Sequence, residues 1–267
     1  MSKINVRKYR IPVPETAGKP ERPIRIAMIG DLHNRIFGEG NHKLVDLIAN
    51  QYPDLIFSVG DLTVVKPKKE VRSEIGLALL SRLVCECPVY CINGNHEQRT
   101  KAWPEAYPGV YDRLRRGLSK PGICYLEDDR ADIEISGCRI SVFGLELPMK
   151  YYQKRCRKFI TAEEIRTRIG EPKANRFNIL LAHNPIYFES YALWGADLTL
   201  GGHMHGGSVR LPFAGGVISP QLRLFPKYDY GLFEKYKSRM VVTSGLGSHS
   251  IAFRLNNPPE VVLLELY

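Results

Sequence analysis

Five short clusters in this chain gather Asp, Asn and His, four of them beside glycine. They are Asp31-Leu32-His33, Gly60-Asp61, Gly94-Asn95-His96-Glu97, His183-Asn184-Pro185 and Gly201-Gly202-His203-Met204-His205-Gly206. Carboxylate, amide and imidazole donors together suit divalent cations of intermediate softness such as Mn, Fe or Zn. An all-oxygen Ca or Mg cage would not use so many histidines. A structural zinc site would draw on thiolates, and no cysteine lies in these clusters. Taken singly, each cluster is weak: Asp-x-His or Gly-Asp is usually a turn with a capping aspartate. Together they use five of the seven histidines, at positions 33, 96, 183, 203 and 205.

The clusters become one site through what precedes them. IRIAMIG runs into Asp31, DLIFSVG into Asp61, PVYCING into Asn95, FNILLA into His183 and ADLTLGG into His203. Each is a short apolar run of the kind that forms a buried strand. Ligands bind at the carboxyl ends of strands in open α/β sheets, and that is where these polar groups fall. Between the runs, helical spacing predicts a helix capped by Asn41 with Leu44, Val45 and Ile48 on one face. A second is predicted with Val71, Ile75, Leu79 and Leu83. Alternating strands and helices imply parallel strands with helices packed outside.

Residues 1–23 read as an extended, proline-marked lead-in. Residues 122–146 read as short strands joined by tight turns, hence locally antiparallel. Residues 207–267, rich in Gly, Pro and aromatics, close with MVVTSG and EVVLLELY and read as the C-terminal part of a second sheet. No linker stands out, so residues 1–267 are expected to form one domain.

Composition narrows the setting. At 267 residues and 44% apolar content the chain can bury a sizeable core, and no window offers the roughly 18 apolar residues that span a bilayer. The first residues, MSKINVRKYRIPVPE, have no apolar run suited to a signal peptide, so a cytoplasmic protein is expected, or one at the inner membrane face. Six cysteines without a CxxC spacing read as buried free thiols. A net charge of +10 favours an anionic partner without choosing among phosphorylated substrate, nucleic acid and acidic lipid.

The five blocks, D-x-H, GD, GNH-E, H and GH-x-H, occur in order over residues 30–206, and this pattern resembles the calcineurin-like metallophosphoesterase superfamily. GGHMHGGSVRLP, LFPKYDYGLF, SGLG and RLNNPPEVVLLEL are similar to a bacterial, often membrane-associated branch of it. The resemblance implies a four-layer α/β/β/α sandwich of two mixed sheets flanked by helices. It also implies a dinuclear centre, Mn first among the candidate metals. One ion would be held by Asp31, His33, Asp61 and His205, the other by Asp61, Asn95, His183 and His203, with Asp61 bridging. His96 would stabilise the transition state or protonate the leaving oxygen. Two dications with two carboxylates and a bridging hydroxide leave a cluster of about +1, able to accept a phosphate. The implied activity is hydrolysis of phosphomonoesters or diesters, lipid-linked or nucleotide, by in-line attack of that hydroxide. Alternatives are a nuclease-type phosphodiesterase acting on nucleic acid and a non-catalytic metal-binding scaffold.

Many members of that superfamily read G-D-x-x-D, the second Asp orienting the GNH histidine. Here Val64 stands in its place, which leaves Glu97 as the candidate to hold His96. The missing Arg that would follow, with Val65 and Lys66 there instead, argues against a protein Ser/Thr phosphatase. Lys66 near the Asp61 loop, and Lys154 and Arg155 in the basic-aromatic run 150–159, are candidate substrate-binding residues. That run reads equally as a cap, as a peripheral anchor to acidic lipid, or as a solvated stretch. His42 is expected on a helix surface or first turn. His249 is expected in a surface loop that could border the site.

Overall fold

A computed structural model describes residues 3–153, 158–206, 210–211, 215–216, 226–248 and 257–267. The strands are β1 (Asn5–Ile11), β2 (Ile24–Ile29), β3 (Leu55–Ser58), β4 (Val89–Cys91), β5 (Ile123–Tyr125), β6 (Asp129–Ile135), β7 (Cys138–Leu145), β8 (Phe177–Ala182), β9 (Leu198–Gly201), β10 (Arg210–Leu211), β11 (Gly215–Gly216), β12 (Gly231–Lys235), β13 (Ser238–Val242) and β14 (Glu260–Leu266). The helices are α1 (His42–Ala49), α2 (Glu74–Leu83), α3 (Asn95–Ala102), α4 (Val110–Leu118), α5 (Ala162–Ile169) and α6 (Phe188–Trp194).

Two six-stranded sheets result, ordered β1-β14-β2-β3-β4-β5 and β12-β13-β9-β8-β7-β6, with β10 and β11 forming a separate two-stranded ribbon. β2 to β5 run parallel, as do β13, β9, β8 and β7. The pleat explains the layering, because successive side chains of a strand face opposite sides. Ile24, Ile26 and Met28 point inward and meet Ile140, Val142, Ile179 and Leu181 of the other sheet. Ala27 and Ile29 point outward, where Leu44 and Ile48 of α1 and Leu79 and Leu83 of α2 cover them. On the far side Phe143, Leu145 and Leu180 pack under Ile165 of α5 and Tyr191 and Trp194 of α6. Both faces of the central strands are therefore buried, and those strands read as continuous apolar runs. This is the expected four-layer α/β/β/α sandwich. Ile26 is fully buried between the sheets, so Ile26→Ala should cost about 2–5 kcal/mol.

Local expectations differ in five places. The lead-in contains β1, paired in parallel with β14, so residues 260–266 complete the first sheet rather than the second. β5 pairs in parallel with β4, and only β6 and β7 form the antiparallel hairpin expected for residues 122–146. α2 starts at Glu74, so Val71 precedes it and packs with Tyr107, Val110 and Leu114. Asn41 precedes α1 with left-handed φ, and its Oδ1 accepts from Phe37 N rather than capping the helix. Of the cysteines, Cys91 and Cys138 are buried free thiols, but Cys85 is exposed, and Cys156 lies outside the described residues. Among the described residues no helix is long and apolar enough to cross a membrane.

Candidate metal centre

The parallel strands of both sheets end on the same side, and their following loops meet there. Backbone bonds sew them together: Asp31 N donates to Gly60 O (2.9 Å), His33 N to Asp61 O (3.1 Å) and Gly202 N to His183 O (3.0 Å). The loop of residues 243–247, after β13, joins them. Leu246 N donates to Gly30 O (3.1 Å) and Gly247 N to Asp31 O (2.6 Å). The loops pack backbone against backbone. At Gly60, with φ 93°, an added Cβ would lie 2.3 Å from Gly94 N; at Gly94 it would lie 2.1 Å from Asp61 Oδ1. Neither position admits a side chain.

Asp31, His33, Asp61, His203 and His205 all adopt positive φ, between 49° and 65°. Each such residue costs about 1–3 kcal/mol unless its surroundings impose it, and such strain clusters at functional sites. Here the loop bonds impose it, and side chains from both sheets converge.

Asp61 is the centre of that convergence. It is 1% exposed, and its Oδ1 accepts from His96 N at the start of α3 (2.8 Å). Its Oδ2 lies 3.2 Å from His183 Nε2 on one side and 3.8 Å from His33 Nε2 on the other. Asp31, fully buried, places Oδ1 3.5 Å from His205 Nε2 and 3.9 Å from His33 Nε2. His33 and His205 rings stack, with their Nε2 atoms 2.9 Å apart. One Asn95 amide atom lies 2.7 Å from His203 Nδ1 and 3.2 Å from Asp61 Oδ2. With the amide oxygen there, three lone-pair atoms point at one spot, an arrangement that a cation would satisfy. Three overlapping buried groups could hold a metal ion, Asp31/His33/His205, Asp61/His183/His203 and His33/Asp61/His96, with ligand atoms within 4.8 Å in each.

The donor set fits divalent metal on its second layer too. His183 Nδ1 lies 2.7 Å from Val59 O, so its N–H donates there, and in the neutral ring Nε2 carries the lone pair that faces the centre. Burial alone would lower the pKa of His183, but the Asp61 and Asp31 carboxylates hold it up at about 9. Burial would raise Asp61, yet the imidazoles of His183, His96 and His33 keep it well below the usual carboxylate range.

Glu97 and His96 exchange expected roles with the backbone. Glu97 Oε2 accepts from Asp61 N and Gly94 N (both 2.9 Å), and Oε1 accepts from Thr63 N (3.0 Å). It therefore fixes the Asp61 loop and the start of α3, not the His96 ring. Burial and the neighbouring Asp61 charge push Glu97 up to about 7, against the N–H groups that favour its ionised form. His96 is held by residue 65: Val65 N donates to His96 Nδ1 (2.8 Å), while Val65 O, 3.2 Å from the same nitrogen, accepts from Arg99 Nη1 (2.9 Å). An acceptor Nδ1 places the neutral ring's proton on Nε2. With Val64 in the place of a carboxylate, what meets the His96 ring is the main chain of Val65.

Lys66 lines a hollow with His33, Asn95 and His96. Lys154, Arg155 and His249 lie outside the described residues. In the basic-aromatic run, Tyr151 is buried, and the Tyr152 ring meets His203 edge-on, centroids 5.2 Å apart. His42 is exposed at the start of α1, as expected.

Three participants escape the motif reading. Tyr152 had no signal beyond its basic surroundings. Arg99 Nη1 donates to Val65 O (2.9 Å), one α3 turn past His96. Glu260, 2% exposed, accepts from Ser244 N (3.0 Å) and Tyr230 OH (2.8 Å), holding the loop that backs Asp31. A charged residue opening an apolar terminal strand was the one available hint.

Residues 24–207 match the model of the calcineurin-like phosphoesterase family. The chain belongs to that family. It is 22% identical over 264 residues to the uncharacterized metallophosphoesterase YkoQ of Bacillus subtilis, covering 98% of this chain and 91% of the relative. It is 28% identical over 247 residues to phosphodiesterase YaeI of Escherichia coli, covering 91% and 82%. The crystal structure of TT1561 of Thermus thermophilus shares the fold, with a TM-score of 0.50 at 13% identity over 84% of this chain and 92% of the other. Membership of this family implies a metal-dependent phosphoester hydrolase.

Proposed function

We propose that the protein hydrolyses phosphomonoesters or diesters at a two-cation centre. Asp31, His33, Asp61 and His205 would hold one ion, and Asp61, Asn95, His183 and His203 the other. The supporting observation is the position of Asp61 Oδ2 between His183 Nε2 and His33 Nε2. A single carboxylate oxygen within 4 Å of two imidazoles from different sheets is suited to bridging. Cations bound there, Mn, Fe or Zn by donor type, supply Lewis acidity to the phosphoryl oxygens and acidify water.

The chain's own residues do the rest. Glu97 and the Gly94 turn keep Asp61 in a strained conformation that the loop alone would not hold. The Val65 main chain presents His96 with its proton on Nε2, suited to donate to a phosphoryl or leaving oxygen. Tyr152, beside His203, closes the second-sheet side against water. Lys66 adds positive potential for an anionic substrate.

The test is hydrolysis of bis(p-nitrophenyl) phosphate and p-nitrophenyl phosphate by purified protein with added Mn. Turnover should vanish with chelator and fall by about 10³-fold with Asp61→Asn. Turnover that persists under both treatments overturns the reading.

A further inference from the structure

Beyond His96 the site continues outward. The hollow containing His33, Asn95 and His96 has a volume of about 150 Å³ and also takes in Lys66, Arg99 and Ser248. Arg99 is shared with a second hollow of about 650 Å³, lined by Pro67, Lys68, Trp103, Ala106 and Tyr107. The two hollows adjoin at the Arg99 side chain, between residues 64–68 and α3 with its continuation. The larger lies in the size range of small-molecule sites, about 300–1,000 Å³.

The groove is charged in one sense. Lys101, next along α3, is paired with Glu127 and Glu146, and Arg72 with Glu74. Lys66, Lys68 and Arg99 have no carboxylate partner among the described residues, and Lys66 and Lys68 are exposed. Arg99 spends one N–H on Val65 O, which leaves four donors on a guanidinium suited to phosphate. Beside these cations stands Trp103, 46% exposed, a large aromatic surface with no packing role that requires such exposure. Cations select an anion, and an exposed indole selects a flat ring. A nucleotide carries both in one molecule.

We propose that this groove is a nucleotide subsite, with the base against Trp103 and a phosphate on Arg99 and Lys66. The assignment rests on the hydrolytic reading of the adjoining metal centre, because adjacency makes the groove part of substrate recognition. The substrate is then a nucleotide-containing phosphoester or anhydride whose nucleotide part lies beyond His96.

Tryptophan emission reads this directly, since Trp194 is buried and quenching by solutes reports Trp103. Wild-type protein is titrated with adenosine 5′-monophosphate, adenosine, ribose 5-phosphate and a short oligoadenylate, with and without Mn. The monophosphate should quench saturably, and adenosine should bind at least about tenfold more weakly because it lacks the charge-assisted contacts. Ribose 5-phosphate should compete without quenching. Trp103→Leu should abolish the quench and weaken calorimetric binding about tenfold, the worth of one base stack. Lys66→Ala and Arg99→Ala should each weaken binding, with Arg99→Lys recovering part of the loss. Oligoadenylate binding more tightly than the monophosphate would assign the groove to a strand end; equal binding would assign it to free nucleotide. Saturable monophosphate binding unchanged in Trp103→Leu and Lys66→Ala, or no such binding in wild type, overturns the subsite. Parallel hydrolysis of bis(p-nitrophenyl) phosphate by wild type separates the claims. Turnover without nucleotide binding sinks the subsite alone, and nucleotide binding without turnover sinks the hydrolase alone.

Discussion

Aspartates sit at both ends of these sheets, and the two ends treat them differently. At the amino ends, Asp54 takes both guanidinium nitrogens of Arg22 (2.9 and 2.6 Å) and Arg25 N (2.8 Å). Asp197 accepts from the backbone and side chain of Asn178, on the adjacent strand (2.8 and 3.1 Å). Each charge is answered by one or two nearby partners, and the carboxylate closes a strand end. At the carboxyl ends, Asp31 and Asp61 are almost fully buried, and what faces them is a ring of imidazoles drawn from both sheets. An aspartate whose partners are local is read as structure. One whose partners come from four loops, on strained backbone, is read as a site.

That contrast can be broken by substitution. Asp61→Asn should lower turnover of bis(p-nitrophenyl) phosphate by about 10³-fold, the scale for losing a preorganised charge at a reacting centre. Asp197→Ala should leave turnover within twofold while lowering stability in urea by about 1–3 kcal/mol, from Asn178 groups left without their acceptor. Equal losses of activity in the two variants would erase the distinction. Glu97→Gln presents an NH₂ to backbone donors that need an acceptor, and it should weaken Mn binding by about 10–100-fold without removing a proposed ligand side chain. Calorimetry measures this.

Saturating Mn, at about 1,000 times its Kd, should stabilise the wild type by about 4 kcal/mol in urea unfolding, and chelator should remove that gain. The gain should be largely absent in Asp61→Asn. The protonation of His183 adds a pH dependence. Its pKa is held up at about 9, and a ligand imidazole must be neutral, so binding displaces a proton. Mn affinity should therefore rise as pH climbs towards 9, with proton release at pH 7 visible on changing buffer ionisation enthalpy. The smallest effect belongs to Asp54, whose pKa is lowered: burial raises it, and the bonds from Arg22 and Arg25 N outweigh that. Its contribution is present above the unfolded carboxylate value and lost as pH falls through the folded one. Asp54→Asn should flatten stability only on the acid side, below about pH 4.

Much of this site was legible because the polar clusters follow uninterrupted apolar strands. DLIFSVG cannot hide where it ends, and Asp61 comes next. The same runs pointed to parallel strands covered by helices, since strands buried on both faces lose their polar alternation, and the α/β/β/α order came with the family resemblance. What escaped was set by tertiary pairing. β1, NVRKYRI, alternates charged and apolar residues like an exposed edge, and nothing local says that it aligns with residues 260–266. The holding of His96 escaped because a main-chain N–H leaves no mark in a sequence. Glu97 was singled out correctly as a neighbour but assigned the wrong partner, since three backbone amides compete better for a buried carboxylate than an imidazole whose Nδ1 is already engaged. Arg99 and Trp103 are ordinary helix-end residues until the loop at 65–68 folds against them.

The alignment of residues 5–11 with 260–266 has a kinetic consequence. The strand between β1 and β2 comes from the other end of the sequence, so the first sheet stays split until the last residues are available. Such long-range pairing pays its loop-closure entropy before any reward and slows folding. Glu260 opens that strand and holds the loop behind Asp31. The parallel core can thus form early while the candidate metal centre is still open at the back. During refolding, burial of Phe57 and its neighbours should precede recovery of metal binding, and the delay measures how long the final strand takes to find its slot.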